Sequence, residues 1–70
     1  MTPSECDVLR TLAPGGLLTT SQLQRATAHT TRSVRHALAR LHARGLIVPS
    51  RDRCRWQLSP RGRAVAATIR

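Results

Sequence analysis

The 70-residue chain has no Tyr, no Phe, a single Trp and only three acids, Glu5, Asp7 and Asp52. Its twelve basic residues are all Arg, so Lys is absent. Each scarcity excludes something. One aromatic side chain cannot build a sheet on which bases stack. Three acids that form no acid–base pair, with no nucleophile beside a base and no phosphate loop, argue against an enzyme. No apolar run approaches the roughly 20 residues of a membrane span. Arg10 and Pro14 interrupt the early apolar stretch, so no secretory signal is read there. Seventy residues make one small domain, assigned here to 1–70, with no room for a two-domain cleft. Cys6 and Cys54 lie far apart, with no Cys-x-x-Cys and no His at a ligand spacing. Two reduced thiols in the cytoplasm is the default, and neither metal nor cofactor is expected.

What is present is charge of one sign, placed unevenly. The formal net charge is +9. Residues 1–31 balance Arg10 and Arg25 against Glu5 and Asp7. The excess lies after residue 31, in Arg32, Arg35, Arg40, Arg44, Arg51, Arg53, Arg55, Arg61, Arg63 and Arg70, with Asp52 alone opposing it. A charge block on one part of a small domain is the footprint of a polyanion binder. Codon bias and the bidentate fork of Arg account equally well for the choice of Arg over Lys, but codon bias does not account for the clustering.

Local signals give the element order. Thr2-Pro3-Ser4-Glu5 starts a helix: Thr2 caps, Pro3 takes the first position and Glu5 completes a capping box. Val8, Leu9 and Leu12 make its apolar stripe, and Pro14-Gly15-Gly16 ends it. Leu17-Leu18 reads as a brief strand. Thr19 and Gln22 form a second capping signal for a helix to about Thr27, with Leu23 and Ala26 inward. Thr30 caps a third helix over about 31–44. There Val34, Ala37, Leu38 and Leu41 sit at i, i+3, i+4 and i+7, and Gly45 closes it. Leu46-Ile47-Val48 and Arg55-Trp56-Gln57-Leu58 read as a hairpin around the loop 50–54. Ser59-Pro60 opens a last helix with Val65, Ala66 and Ile69 on its apolar edge. The fold class is mainly α with a small β-hairpin, in the order α-β-α-α-β-β-α.

The stretch Leu18 to Val48, LTTSQLQRATAHTTRSVRHALARLHARGLIV, resembles the winged helix-turn-helix of bacterial transcriptional regulators of the MarR or GntR kind. Leu18, Thr19, Gln22, Leu23, Thr30, Ser33, Val34, Leu38, Leu41, Gly45, Leu46 and Ile47 occupy the pattern's places. Leu58-Ser59-Pro60-Arg61-Gly62-Arg63 resembles the segment that follows the wing. Thr27, Ala28 and His29 depart from it, because the family usually has Leu, Gly and an apolar residue there. The departure predicts an irregular turn and a surface role for His29. The resemblance implies a cytoplasmic, nucleoid-associated DNA-binding regulator, of repressor or activator type.

The residues support that reading without the resemblance. With Val34 at the centre of the buried arc of the third helix, Arg32, His36, Ala39, Arg40 and Ala43 fall opposite, at about 140° to 240°. That face is basic at its edges and small in its middle, which suits a helix entering a major groove about 12 Å wide. A recognition helix contacts bases through its N-terminal part. Thr31, Arg32, Arg35 and His36 are therefore the base-contact candidates. Thr19, Thr20, Thr30, Arg40 and Arg61 are the backbone candidates. Arg51, Arg53 and Arg55 alternate, so on a strand they would point one way and arm a wing (about 48–56) for the minor groove. His42 is expected at the surface and Trp56 in the core under the wing.

Two competing functions stay in view. One is a winged-helix module for protein–protein assembly, or for DNA docking within a replication, plasmid or phage machinery, since fold alone does not decide function. The other is an ArsR-like metal sensor, whose resemblance would imply a thiolate or His cluster. Oligomeric state stays open: a homodimer would read a palindrome with half-sites about 34–36 Å apart, a monomer one short site. Seventy residues leave little room for a cavity of several hundred Å³, so no small-molecule ligand is expected.

Overall fold

The structure, a computed structural model, describes residues 1–69. Four helices and three short strands follow in the expected order: α1 (Pro3–Leu12), β1 (Leu18–Thr19), α2 (Thr20–Thr27), α3 (Thr31–Ala43), β2 (Ile47–Pro49), β3 (Arg55–Leu58) and α4 (Pro60–Ala66). Cap chemistry sets the helix starts. Thr2, Thr19, Thr30 and Ser59 each accept a hydrogen bond from the amide three residues on. Each cap thus satisfies one amide of the first turn that has no helical partner. At Thr19 the box is complete, because Gln22 Oε1 returns a bond to the Thr19 amide at 2.8 Å. α3 ends in a Schellman motif: Gly45 donates to the His42 carbonyl and Leu46 to the Leu41 carbonyl, with Gly45 at φ +72°.

Val8, Leu9 and Leu12 of α1, Leu23 of α2, and Val34, Ala37, Leu38 and Leu41 of α3 form one core with Leu46, Ile47 and Leu58. Leu18, Trp56, Val65, Ala66 and Ile69 pack on its margin. Ala26, expected inward, is exposed, since Leu23 alone of α2 reaches the core. α4 spans seven residues, so Ile69, expected on its apolar edge, lies beyond its end.

The hairpin is part of a larger unit. β3 lies centrally in an antiparallel sheet of order β1-β3-β2. Leu18 pairs with Trp56 and Thr19 with Arg55 on one side, while Ile47 pairs with Leu58 and Pro49 with Trp56 on the other. β1 thereby ties the start of α2 to the wing.

α4 is clamped to the α3–β2 junction. The Ser59 amide donates to the Leu46 carbonyl at 3.1 Å, and Ser59 Oγ donates to the Gly45 carbonyl at 2.6 Å. The same Oγ accepts from the Gly62 amide at 3.0 Å. Gly62 is buried here.

Candidate nucleic-acid interface

Two contacts fix how α3 is rotated. On one flank His42 meets Trp56 edge-on, ring centroids 5.5 Å apart. On the other, Arg44 Nη1 stands 3.7 Å from Glu5 Oε2. Between these flanks lies the solvent face, where Thr31, Arg32, Arg35, His36, Ala39, Arg40 and Ala43 are all exposed. Arg32, His36 and Arg40, one helical turn apart, share a groove of about 280 Å³ with Thr2, Ser4 and Glu5 of the α1 N-terminus. Arg35 is outside that groove. The two small residues leave the middle of the face low, so the helix backbone can approach a flat-floored partner closely.

Thr30 is exposed, and its hydroxyl both accepts from the Ser33 amide and donates to Ser33 Oγ. A helix N-terminus of this kind favours an anion through its first amides. Thr19 caps α2 and Thr20 opens it, both half-buried. Arg61 is exposed at the start of α4. Arg63 lines a different depression, over Ala13, Pro14 and Gly15 at the end of α1.

The wing differs from its expected geometry. Arg51 to Cys54 form a turn, not strand, and only Arg55 lies in β3. The alternation that predicted one common direction for Arg51, Arg53 and Arg55 therefore does not apply, because a period of two holds only on a pleated strand. All three are still exposed. Arg53 donates its amide to the Ser50 carbonyl at 2.9 Å and adopts φ +59°, the left-handed conformation usually left to Gly. Asp52 organises this Gly-free tip. Its Oδ1 accepts from Ser50 Oγ and from the Cys54 amide (3.0 Å). The Ser50 and Cys54 bonds, aided by the nearby Arg55 charge, hold its carboxyl below the usual carboxylate range. Arg53 lines a depression with His42, Pro49 and Trp56, so the wing root and the C-terminal half of α3 share a wall.

The acids of α1 have different partners from those that a charge count suggests. Glu5 does not offset Arg10 or complete the capping box: its side chain is 1% exposed and turned onto α3 beside Arg44. The signal was available, because Glu5 falls inside the arc of Val8, Leu9 and Leu12 on a helical wheel. Asp7 sits 4.0 Å from Arg10 and, more closely, accepts from His29 Nε2 at 2.8 Å. His29 is half-buried, not a free surface residue. His42, by contrast, is exposed yet engaged with Trp56. The turn that His29 secures is regular despite its unusual sequence, since Ala28 takes the left-handed conformation (φ 58°, ψ 20°) that Gly would take more cheaply.

Both cysteines are free thiols, Cys6 half-buried and Cys54 exposed. Among the described residues no three of His, Cys, Asp and Glu gather to hold a metal ion. No helix among them is long and apolar enough to cross a membrane.

A helix-turn-helix flanked by the strands of a three-stranded sheet, with a basic wing between β2 and β3, defines a winged-helix domain, and known proteins agree. The MarR family model matches residues 1–54, so the chain belongs to the MarR family. A MarR family transcriptional regulator from Silicibacter pomeroyi shares the fold, with a TM-score of 0.88 at 23% identity over 99% of this chain. BpsR of Bordetella bronchiseptica, whose DNA binding is regulated by 6-hydroxynicotinic acid, gives a TM-score of 0.88 at 32% identity over 96% of this chain. A MarR family protein of Mycobacterium tuberculosis gives 0.85 at 28% identity over 99%. These matches cover 52%, 50% and 51% of the respective chains, so this chain spans about half their length. None of the curated proteins matches.

The regulation of BpsR by 6-hydroxynicotinic acid runs against the expectation that no small molecule is bound. On this chain the depressions between elements measure about 280, 420 and 540 Å³.

Proposed function

We propose that this domain is a sequence-specific double-stranded DNA-binding module of a cytoplasmic transcriptional regulator. The carrying observation is the exposed face between the two flanks of α3, which bears Arg32, Arg35 and Arg40 and adjoins the basic turn of the wing through the depression that His42 shares with Arg53. α3 enters the major groove. Thr31, Arg32, Arg35 and His36 meet base edges, an Arg fork matching guanine O6 and N7. Arg40 and Arg61, with the α2 and α3 N-termini at Thr19, Thr20 and Thr30, take phosphates. Arg51, Arg53 and Arg55 follow the minor groove and its walls. Two copies on a palindrome is the arrangement that fits the family, and no enzymatic step is assigned.

The experiment is duplex binding followed by fluorescence anisotropy across a salt series, on random and selected sequences. About five to eight phosphate contacts give a log–log slope of roughly −4 to −7. A flat response, or no binding at low salt, would refute the DNA reading and favour a protein partner.

A further inference from the structure

The sequence has three acidic side chains, and Asp52 is used in the wing tip. The other two both belong to α1, and each approaches a residue that flanks α3. Asp7 Oδ2 accepts from His29 Nε2 at 2.8 Å, and His29 immediately precedes Thr30, the N-cap of α3. Glu5 Oε2 lies 3.7 Å from Nη1 of Arg44, the C-cap of the same helix. One carboxylate thus meets each end of the helix that carries the candidate base contacts.

Resting on the DNA reading above, we propose that Asp7 and Glu5 are positioning residues for it: acting through His29 and Arg44, they fix where α3 sits in the groove. Neither touches DNA in this scheme. Glu5 is an expensive choice for a purely structural role, since burying a carboxylate costs several kcal/mol unless its partners compensate. Its Oε2 has the Arg44 charge nearby but no hydrogen bond among the described residues. An apolar side chain of similar volume at this site would hold the core at least as well. What the charge adds is an attraction to Arg44 across 3.7 Å. At the other end, left-handed Ala28 makes the turn costly to form, so the contact of His29 with Asp7 holds a backbone that its own sequence does not favour. Arg10 also approaches Asp7, through Oδ1 at 4.0 Å.

Charge alone predicts the opposite sign, which makes the proposal testable. Removing an acid from a cationic protein raises its net charge and tightens binding to every DNA alike. A positioning role instead lowers discrimination between the right sequence and a wrong one. The full 70-residue chain and its Asp7→Ala, Asp7→Asn and Glu5→Gln variants are titrated against two duplexes of equal length. One duplex is selected from a random pool by the wild type, and the other is its scramble. Thermal unfolding is followed in parallel.

The expected result is a fall in the specific-to-scrambled affinity ratio of roughly threefold to thirtyfold for Asp7→Ala and Glu5→Gln, at temperatures where both are fully folded. Scrambled binding holds or tightens. Asp7→Asn, which keeps an acceptor for His29, retains most of the ratio. If Glu5→Gln fails to fold, the partly exposed Asp7 decides. A folded Asp7→Ala that keeps the wild-type ratio overturns the positioning role while leaving the DNA reading intact. A wild type that binds neither duplex overturns the DNA reading, and the positioning role with it.

Discussion

Gly62 approaches the Leu46 carbonyl so closely that a β-carbon on it would sit 1.8 Å from the oxygen. No side chain fits that gap, and the obstruction is backbone, which cannot rotate aside. The contact lets Ser59 reach both the Leu46 and Gly45 carbonyls and so locks α4 under the end of α3. Gly62→Ala should therefore force α4 away. Its cost is about 1–3 kcal/mol by the usual scale of overpacking. A smaller change than that for Ser59→Ala, which removes a cap worth about 1 kcal/mol, would show that α4 tolerates displacement. Thermal or urea denaturation of the two variants makes the comparison.

Ala28 offers the reverse case. A left-handed Ala costs about 1–2 kcal/mol relative to a relaxed backbone, against about 0.5–1 kcal/mol for the extra unfolded-state freedom of Gly. Ala28→Gly should therefore stabilise the domain by up to about 1 kcal/mol. An unchanged or lowered melting temperature would mean that the turn is held without strain.

Arg32 and Arg51 separate reading from holding. Arg32→Ala should cost about 1–3 kcal/mol on the preferred sequence and relax preference at one base pair. Arg51→Ala should weaken all duplexes alike and reduce the salt slope by about 1. Competition titrations on single-base variants of the selected site distinguish them. Equal, sequence-blind losses would move base recognition away from α3.

Asp52 makes the wing sensitive to acid. Its carboxyl is held below the ordinary value of 3.8, so its contribution to the folded tip is complete above that pH. The contribution is lost as pH falls through the lowered value, because protonation removes the acceptor charge facing Ser50 and the Cys54 amide. The amide resonances of Cys54 and Arg55 should stay constant from neutral pH down to about 5, and move together only below 3.8. Movement near neutrality would assign the tip's order to another group.

Much of the fold was legible because its signals are local. Caps at Thr2, Thr19, Thr30 and Ser59, the i, i+3, i+4, i+7 stripe from Val34, and the stop at Gly45 each depend on residues within a turn or two. The exposed basic face of α3 followed from the same periodicity. The wing was read less well. Strand alternation was extended across Arg51 and Arg53, which lie in a turn held by Asp52. Ala26 was placed inward by a pattern too short to bind it there. The environments of His29 and Glu5 are not legible locally, because their partners, Asp7 and Arg44, are 22 and 39 positions away along the chain.

Composition and periodicity by themselves determined the element order of a small domain and put most of its excess positive charge on the third helix and the hairpin, while the winged-helix class followed from the resemblance. Both properties depend on residue type and short-range spacing, which a sequence states directly. Only the tertiary structure decided which acids remain available to oppose that charge. It buries Glu5 against one end of α3, sets Asp7 against the other, and folds Asp52 into the wing tip. Charge interacts through space, so a count along the chain paired Glu5 and Asp7 with Arg10 and Arg25, whereas the packing of α1 on α3 brings Arg44 and His29 to them.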